Sequence, residues 1–483
     1  MTKPPQDLFV HNTLSKKLEI FVPLNKNLVT LYNCGPTIHA LHTSIGNLRS
    51  YIFSDFVKRY LIFLGFNVRH VIKVTDVDDH TIKESRQAGK TLDTYTEIYY
   101  RDFINQLSLV NVIPPDFLPR VTDNIEDIIQ AIQQLIDSGF TYRSNNSTYF
   151  RINSLSEYGK LVNFEKQQAL KKNAQGRMED FLSEEKENIN DFCLWKGYNP
   201  DSDNVYWDTS FGKGRPGWHI ECSVISRKYL GNSIDIHIGG ISHIFPHHEN
   251  EIALSEAITH VPFVKYWLHH DYLVVDGKKM SKAGSTYLTL SDIEKRGYNP
   301  MILRYTLLKT HYRQKLDFSW NSMEESKKIL AKIVETMLWL ENVSNGNKNS
   351  LNMEKEILIC KTIFQNGLNQ DFNISLALSG IFAFIRTLMS VKDTINNTQA
   401  NMAYNFLLEI DEVLGCIKPL LNDYKHRIGE LLKTNDFKNL LAKWKEYKNS
   451  KDYKSADEIR SAFLRNGIKI IDMGKDSYYL TPA

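Results

Sequence analysis

The segment "LVTLYNC", residues 28–34, is short, contains β-branched residues and alternates in polarity, which is typical of a β-strand. Apolar residues then recur at helical spacing through residues 45–64, which predicts a helix that ends before Gly65. The next segment, "NVRHVIKVTD" at residues 67–76, predicts a second strand. A strand, a helix and a strand in this order predict two parallel strands joined by a right-handed crossover.

The same pattern returns later in the chain. Residues 234–240 ("IDIHIGG") predict a strand, residues 248–258 ("HENEIALSEAI") a helix, and residues 265–277 ("KYWLHHDYLVVDG") another extended segment. The region between the two halves, residues 116–200, is expected to be helical and irregular. Long amphipathic helices follow from about Trp320.

These patterns predict a doubly wound, Rossmann-like α/β domain with a parallel sheet, split by an insertion and followed by an α-helical bundle and a small basic domain. The predicted limits are 1–115 and 201–275 for the two halves of the α/β domain, 116–200 for the insertion, 276–320 for a loop and linker region, 321–430 for the helical domain and 431–483 for the basic domain.

The composition of the 483 residues is that of a soluble globular protein, with 42% hydrophobic and 24% charged residues. No apolar run approaches the roughly 20 residues that a membrane helix needs, and the amino terminus has no hydrophobic signal core, so we expect a cytoplasmic protein. Five scattered cysteines are a poor disulfide framework and indicate thiols or metal ligands in a reducing compartment. The net charge of +3 is small, but residues 433–469 contain ten Lys or Arg against five Asp or Glu.

The stretch "FPHHENEIALSEA", residues 245–257, contains two histidines and three glutamates. His247 and Glu251 are four residues apart and share one face of a helix. Cys34 and Cys222 are each expected near the end of an extended segment, where a parallel sheet would bring them to the same edge. Two thiolates, an imidazole and a carboxylate would form a tetrahedral zinc site. The alternative is a solvated helix face, and residues 248–249 are expected to support the ligands or to face solvent.

Two loops could bind phosphate groups. "GKKMSKAG", residues 277–284, places three lysines where they could stabilise a leaving pyrophosphate, although a solvated basic turn is an equal alternative. "HTSIGNLR", residues 42–49, places Gly46 in the first turn of a helix, where free amides attract phosphate. Neither loop matches a dinucleotide-binding or Walker motif.

Two further stretches are open to more than one interpretation. Trp218 in "RPGWHIECS" could form the wall of a small pocket, but a tryptophan before a strand is more often part of the core. "VTDVDDH" could suggest magnesium, although capping and solvation are the preferred roles for Asp78 and Asp79.

Ten stretches along nearly the whole chain together resemble the class I aminoacyl-tRNA synthetases and, among these, the cysteinyl-tRNA synthetase family. In chain order they are "YNCGPT", "SIGN", "VTDVDD", "DFCLWK", "RPGWHIECS", "DIHIGG", "FPHHENE", "KMSKA", "DFNISLAL" and "KDYKSADEIR". Ten matches in the family's order are far more specific than any one of them.

The resemblance implies roles for individual residues. The implied zinc ligands are Cys34, Cys222, His247 and Glu251. The implied cysteine-binding residues are Gly35, Thr75, Trp218 and His237. The implied ATP-binding residues are Pro36, Thr37, His42, Gly46, Asn47 and Lys282, with Lys279 and Lys282 as the catalytic lysines of a KMSKS-type loop.

The resemblance also implies a reaction. Cysteine would attack the α-phosphate of Mg-ATP to give cysteinyl-adenylate, which would then pass to tRNA(Cys). One zinc ion per chain would bind the substrate sulfur as thiolate and so distinguish cysteine from serine without an editing site. The helical domain and the basic domain would bind the tRNA, with the basic domain on the anticodon side, and we expect a monomer.

Four positions depart from the family pattern: Ser44, where histidine is usual and for which His42 could substitute, Ile238, Ser242 and Ala283. Two alternatives therefore stay open. One is a tRNA-independent cysteine ligase of thiol biosynthesis, which would share the zinc and adenylation parts. The other is a non-catalytic RNA-binding paralogue.

Overall fold

The computed structural model describes residues 7–39, 43–162, 186–200, 204–280, 286–343, 351–474 and 477–482. The strands are β1 Phe9–Asn12, β2 Lys17–Ile20, β3 Val29–Thr37, β4 Val68–Thr75, β5 Thr141–Ser144, β6 Ser147–Phe150, β7 Phe192–Gly197, β8 Gly214–Pro216, β9 Ile234–Gly240, β10 Val264–His270, β11 Leu273–Val275, β12 Lys278–Lys279, β13 Leu316–Phe318, β14 Ile468–Gly474 and β15 Ser477–Pro482. The α-helices are α1 Ile45–Phe63, α2 Asp79–Gln87, α3 Leu92–Leu109, α4 Ile125–Asp137, α5 Trp218–Leu230, α6 Glu249–Thr259, α7 Leu290–Lys295, α8 Pro300–Leu308, α9 Trp320–Glu341, α10 Met353–Asn369, α11 Ile374–Ser390, α12 Asn397–Leu414, α13 Ile417–Lys433, α14 Asn435–Asn449 and α15 Tyr453–Arg465.

A four-stranded sheet in the order β10-β9-β3-β4 forms the centre of the first half of the chain. All three pairings in it are parallel. The helix α1 connects β3 to β4, so the predicted strand, helix and strand are confirmed. The carboxyl ends of parallel strands meet at one edge of the sheet, and this edge is where ligands bind in such folds.

The strand β3 continues past Cys34 to Thr37, with an irregular register over its last residues. Gly35 lies in this irregular part, and a Cβ atom there would come within 1.5 Å of the carbonyl oxygen of Lys73. Only glycine therefore permits the approach of β3 to β4 at this point.

Short polar side chains begin the two helices that follow β3 and β4. The hydroxyl of Ser44 accepts a hydrogen bond from the amide of Asn47 and caps α1. Asp78 forms a capping box with Thr81 at α2, which confirms its predicted role. Asp79 is not simply solvated, because its carboxylate pairs with Lys196 and Arg215.

The insertion differs from the expected helical and irregular region. It contains a helix, α4, as expected, but also an antiparallel sheet in the order β5-β6-β7-β8. The last of these strands, β8, lies beyond residue 200. Buried apolar residues of this sheet, of α4 and of α5 share one core, which includes Phe150, Leu194 and Ile220.

The chain divides into two compact units, Met1–Leu290 with Tyr312–Asp317 and Ser291–His311 with Phe318–Ala483. The second unit contains the long helices α9 to α13, followed by α14, α15 and the hairpin β14-β15. Trp444, Phe463 and Ile470 belong to the core of this last part. Among the described helices, none has the length and apolar character that crossing a membrane requires.

Candidate active site

Four potential metal ligands come together at the carboxyl edge of the parallel sheet. Cys34 lies on β3, Cys222 on α5, His247 just before α6, and Glu251 on α6. The expectation that Cys222 follows an extended segment was wrong, since it lies in the second turn of a helix that begins at Trp218. The helix nevertheless brings its thiol to the predicted partners.

The distances among the four side chains suit a tetrahedral ion. The two Sγ atoms are 3.6 Å apart, and Cys222 Sγ is 3.4 Å from His247 Nε2. Glu251 Oε1 is 3.5 Å from Cys34 Sγ and 3.0 Å from His247 Nε2. A tetrahedron with Zn–S bonds of about 2.3 Å has an S–S edge of about 3.8 Å. The cluster therefore has the size and the donor chemistry of a zinc site.

The electrostatics of the four side chains also favour a cation. Burial alone would raise the pKa of Glu251, but His237 and His247 hold that pKa well below its usual range. Burial raises the pKa of the Cys34 thiol, and the neighbouring Cys222 adds to the effect. Burial likewise opposes ionisation of Cys222, but the hydrogen bond with Cys34 and the charge of Lys73 bring its pKa well below the usual value. Two of the four donors, Glu251 and Cys222, are thus held in their ionised forms at a buried point, where a metal ion would stabilise them.

Aromatic rings surround the ligands. The Trp218 ring stacks on the His247 ring at a centroid distance of 3.8 Å. On the other side of the cluster, His237 Nε2 lies 2.9 Å from Glu251 Oε2. The structure thus brings Trp218 and His237, two of the predicted cysteine-binding residues, against the ligands. Trp218 does not precede a strand as expected but is the first residue of α5.

Of the two roles expected for residues 248 and 249, supporting the ligands or facing solvent, the second was wrong because both side chains are buried. His248 lies 3.8 Å from Cys34 Sγ and shares a 2.7 Å hydrogen bond with His269. With Cys34, His237 and Glu251 it forms a second set of donors that are close enough to hold an ion. The carboxylate of Glu249 accepts hydrogen bonds from the amides of Gly159, Leu161 and Val162, and thereby fixes the insertion.

A buried ion pair that the sequence analysis did not identify lies beside the ligands. Lys73 Nζ on β4 lies 2.6 Å from Glu221 Oε2 on α5, and both side chains are at most 2% exposed. Thr75, another predicted cysteine-binding residue, contacts both of them. The available signal was a lysine in the apolar strand "HVIKVT" of a sheet expected to be buried on both faces.

The predicted nucleotide-binding residues are only partly described. Gly46 and Asn47 lie in the first turn of α1, and Gly46 is near the side chain of Met280. Pro36 and Thr37 end β3, where Thr37 is the register partner of Thr75. Lys279 is exposed on β12, with Nζ 5.7 Å from the Tyr272 ring centroid. His42 and Lys282 lie outside the described residues.

Comparison with known proteins identifies the family of this chain. The family model "tRNA synthetases class I (C) catalytic domain" matches residues 20–328. The chain is 39% identical to the cysteine–tRNA ligase of Brachyspira hyodysenteriae over 97% of its own length and 98% of that protein. It is 37% identical to the cysteine–tRNA ligase of Chlamydia muridarum, over 96% of the chain and 98% of that protein.

A solved structure supports the fold alone. The methionyl-tRNA synthetase of Mycobacterium tuberculosis, solved in complex with methionyl-adenylate, superposes with a TM-score of 0.57 at 12% identity, covering 80% of this chain and 89% of that one. Matches of this extent to a family model and to full-length relatives establish kinship. The chain belongs to the class I tRNA synthetases, in their cysteine–tRNA ligase family.

Proposed function

We propose that this protein activates cysteine with ATP, forms cysteinyl-adenylate and transfers the cysteinyl group to tRNA(Cys). The observation that carries the proposal is the convergence of Cys34, Cys222, His247 and Glu251 at the carboxyl edge of the sheet. These donors come from β3, α5 and the region of α6, which are far apart in sequence and are brought together only by the fold.

We propose one zinc ion per chain on these four donors. When bound, zinc supplies a coordination position that takes the cysteine sulfur as thiolate, whereas the serine hydroxyl is a poor ligand near neutral pH. The protein holds the donors in place from outside. His219 Nδ1 lies 2.9 Å from His247 Nδ1, and His237 holds the second oxygen of Glu251.

The amino-acid pocket would lie between Trp218, His237, Thr75 and Gly35. His237 Nδ1 is buried and has no hydrogen-bond partner among the described residues. Buried polar atoms are rarely left unpaired, so this nitrogen fits a group that a polar substrate satisfies. The ring of Trp218, which is stacked on His247, would exclude water from the sulfur.

The remaining groups would position Mg-ATP and stabilise charge. The amino-terminal turn of α1 at Gly46 and Asn47 would present the positive end of the helix dipole to the nucleotide phosphates. Pro36, Thr37 and His42 complete the proposed ATP site. Lys279 and Lys282 would stabilise the pyrophosphate as negative charge builds on it.

The lysines give a test of that last role. Replacing Lys282 with alanine should slow adenylate formation and leave ground-state binding of ATP almost unchanged, because the charge it stabilises develops only in the transition state. Lys278→Ala, which removes an exposed lysine of β12, is the matched control. Equal losses of binding and rate for Lys282→Ala would show that the lysine serves ordinary substrate binding.

The function is tested by ATP–pyrophosphate exchange followed by tRNA charging. We expect exchange with cysteine, very little exchange with serine, and transfer of cysteine to tRNA(Cys). Exchange without tRNA charging would instead indicate a tRNA-independent cysteine ligase. tRNA binding without exchange would indicate a non-catalytic RNA-binding paralogue.

A further inference from the structure

Lys73 is a buried cation for which the proposed reaction has no direct use. It is the register partner of Cys34 on the neighbouring strand, so the two side chains leave the same face of the sheet. Glu221 approaches this face from α5. Burying two charges carries a large desolvation penalty, and the attraction between them offsets this penalty only if both groups are also well hydrogen-bonded.

The hydrogen bonds of the pair converge on one hydroxyl group. Lys73 Nζ lies 2.5 Å from Thr75 Oγ1, and Glu221 Oε2 lies 3.2 Å from the same oxygen. An ammonium group can only donate and a carboxylate can only accept. The Thr75 hydroxyl must therefore accept from Lys73 and donate its hydrogen to Glu221.

After these two hydrogen bonds, the Thr75 hydroxyl oxygen has one lone pair that is not yet used. A hydroxyl has one hydrogen and two lone pairs, and the hydrogen and one lone pair are already in use. Thr75 can therefore accept a further hydrogen bond but cannot donate one. At the proposed cysteine pocket, the group that donates without accepting is the α-ammonium of the substrate.

We propose that Lys73 is a positioning residue for the amino-acid pocket: it orients the Thr75 hydroxyl so that this group accepts a hydrogen bond from the α-ammonium of cysteine. Lys73 acts through Thr75 and does not contact the substrate. This inference rests on the proposed function, since it assumes that Thr75 borders the cysteine pocket.

The test compares cysteine with β-mercaptopropionate, which keeps the thiol and the carboxylate but lacks the ammonium. Calorimetry on the zinc-loaded protein gives the Kd of each. In Lys73→Met, the Thr75 hydroxyl loses the donor that fixes its orientation, so we expect the Kd of cysteine to rise at least about tenfold. The Kd of β-mercaptopropionate and the KM of ATP should stay within about twofold, because neither involves this hydroxyl.

Matched variants separate positioning from general damage. Lys58→Met removes another buried lysine of the same unit, which pairs with Asp116 at 3.3 Å, and it should leave the ratio of the two Kd values unchanged. Lys73→Arg keeps a cationic donor and should recover most of the preference for cysteine. In a Thr75→Val background, Lys73→Met should have no further effect on the ratio, because the group through which it acts is gone.

One more variant covers the case in which Lys73→Met does not fold. Lys73→Met combined with Glu221→Leu replaces the ion pair by apolar side chains, which buried sites often tolerate, and it should show the same selective loss for cysteine. Equal weakening of both ligands, or an unchanged Kd for cysteine, would overturn the inference. A wild-type protein that shows no cysteine-dependent exchange would instead overturn the proposed function.

Discussion

Cys222 and Cys360 are both buried cysteines, but their surroundings differ. Lys73 and the hydrogen bond with Cys34 lower the pKa of Cys222 against the effect of burial, whereas burial raises the pKa of Cys360 to about 12. We predict that Cys222→Ser lowers the zinc content and weakens cysteine binding much more than ATP binding, because a hydroxyl is a poor zinc ligand. Metal analysis and the separate KM values would measure this.

The control for that prediction is Cys360→Ser, which should keep one zinc ion per chain and both KM values. Cys360 lies on α10 in the second unit. If Cys222→Ser weakens ATP and cysteine equally, the ion has a merely structural role.

The burial of His70 predicts that the stability of the fold depends on pH. Burial lowers its pKa to about 3, and Lys58 adds to the shift. Neither ring nitrogen has a hydrogen-bond partner among the described residues. Because the unfolded state takes up a proton near pH 6.5 and the folded state does not, stability is present above that pH and decreases as the pH falls toward 3.

We therefore expect His70→Phe to remove part of the acid sensitivity of the fold. Between pH 7.5 and pH 5.5 this histidine should account for about 1 kcal/mol of lost stability. Thermal unfolding at the two pH values would measure the loss. His426→Phe, at an exposed position of α13, should change nothing, and an unaltered pH dependence in His70→Phe would contradict the assignment.

At the level of single residues, the sequence was enough to name the four side chains that the fold brings together, but not their surroundings. Residues 219–226 of α5 are buried on every side, so the helix has no polar stripe and its periodicity is hidden. The charged residues of α6 looked like a solvated face because the partners that satisfy them, such as Gly159 and His237, lie far away in sequence.

At the level of elements, hydrogen bonds from Arg49 connect α1 to two other segments of the first unit. Its guanidinium donates to the carbonyl oxygens of Asp271 and Tyr272 at 2.7 and 3.0 Å, and to those of Tyr312 and Gln314 at 3.3 and 2.9 Å. Burial lowers the pKa of Arg49 to about 10, and Asp271 partly opposes the shift. One side chain thus satisfies four acceptors from two stretches of chain.

We predict that Arg49→Met lowers the free energy of unfolding by about 3 kcal/mol, because buried carbonyl groups are left without donors. Arg49→Lys should lie between wild type and Arg49→Met, since an ammonium cannot reach four separated acceptors. Chemical denaturation measures the effect. Arg69→Met, at an exposed position of β4, is the control, and equal losses in the two variants would contradict the anchoring role.

The sequence predicted some helices and strands correctly but did not predict the sheet of the insertion. The strand, helix and strand of residues 28–76 form through local crossovers, so their pattern is visible in the sequence. The sheet of the insertion pairs Phe150 with Phe192, more than forty residues away. Its strands β5 and β6 have four residues each, and alternation over so short a span does not distinguish a strand from irregular chain.

At the level of the whole molecule, the basic end of the chain should give the two proposed steps different salt dependences. Residues 433–469 carry ten basic against five acidic residues, and several of the lysines on α14, among them Lys438 and Lys443, are exposed. Protein groups that neutralise phosphates release counterions, so affinity for a nucleic acid falls steeply as salt rises. Cysteine is a small zwitterion, so its binding releases few counterions.

We therefore predict that raising the salt concentration increases the KM for tRNA(Cys) in charging far more than the KM for cysteine in exchange. Lys438→Gln with Lys443→Gln should raise the KM for tRNA several-fold and reduce its salt dependence, because two charges that can neutralise tRNA phosphates are lost. Lys26→Gln, an exposed lysine of the other unit, should alter neither KM. If Lys26→Gln raised the KM for tRNA as much per lost charge as the double variant does, then the net charge of the protein, and not its basic end, would attract the tRNA.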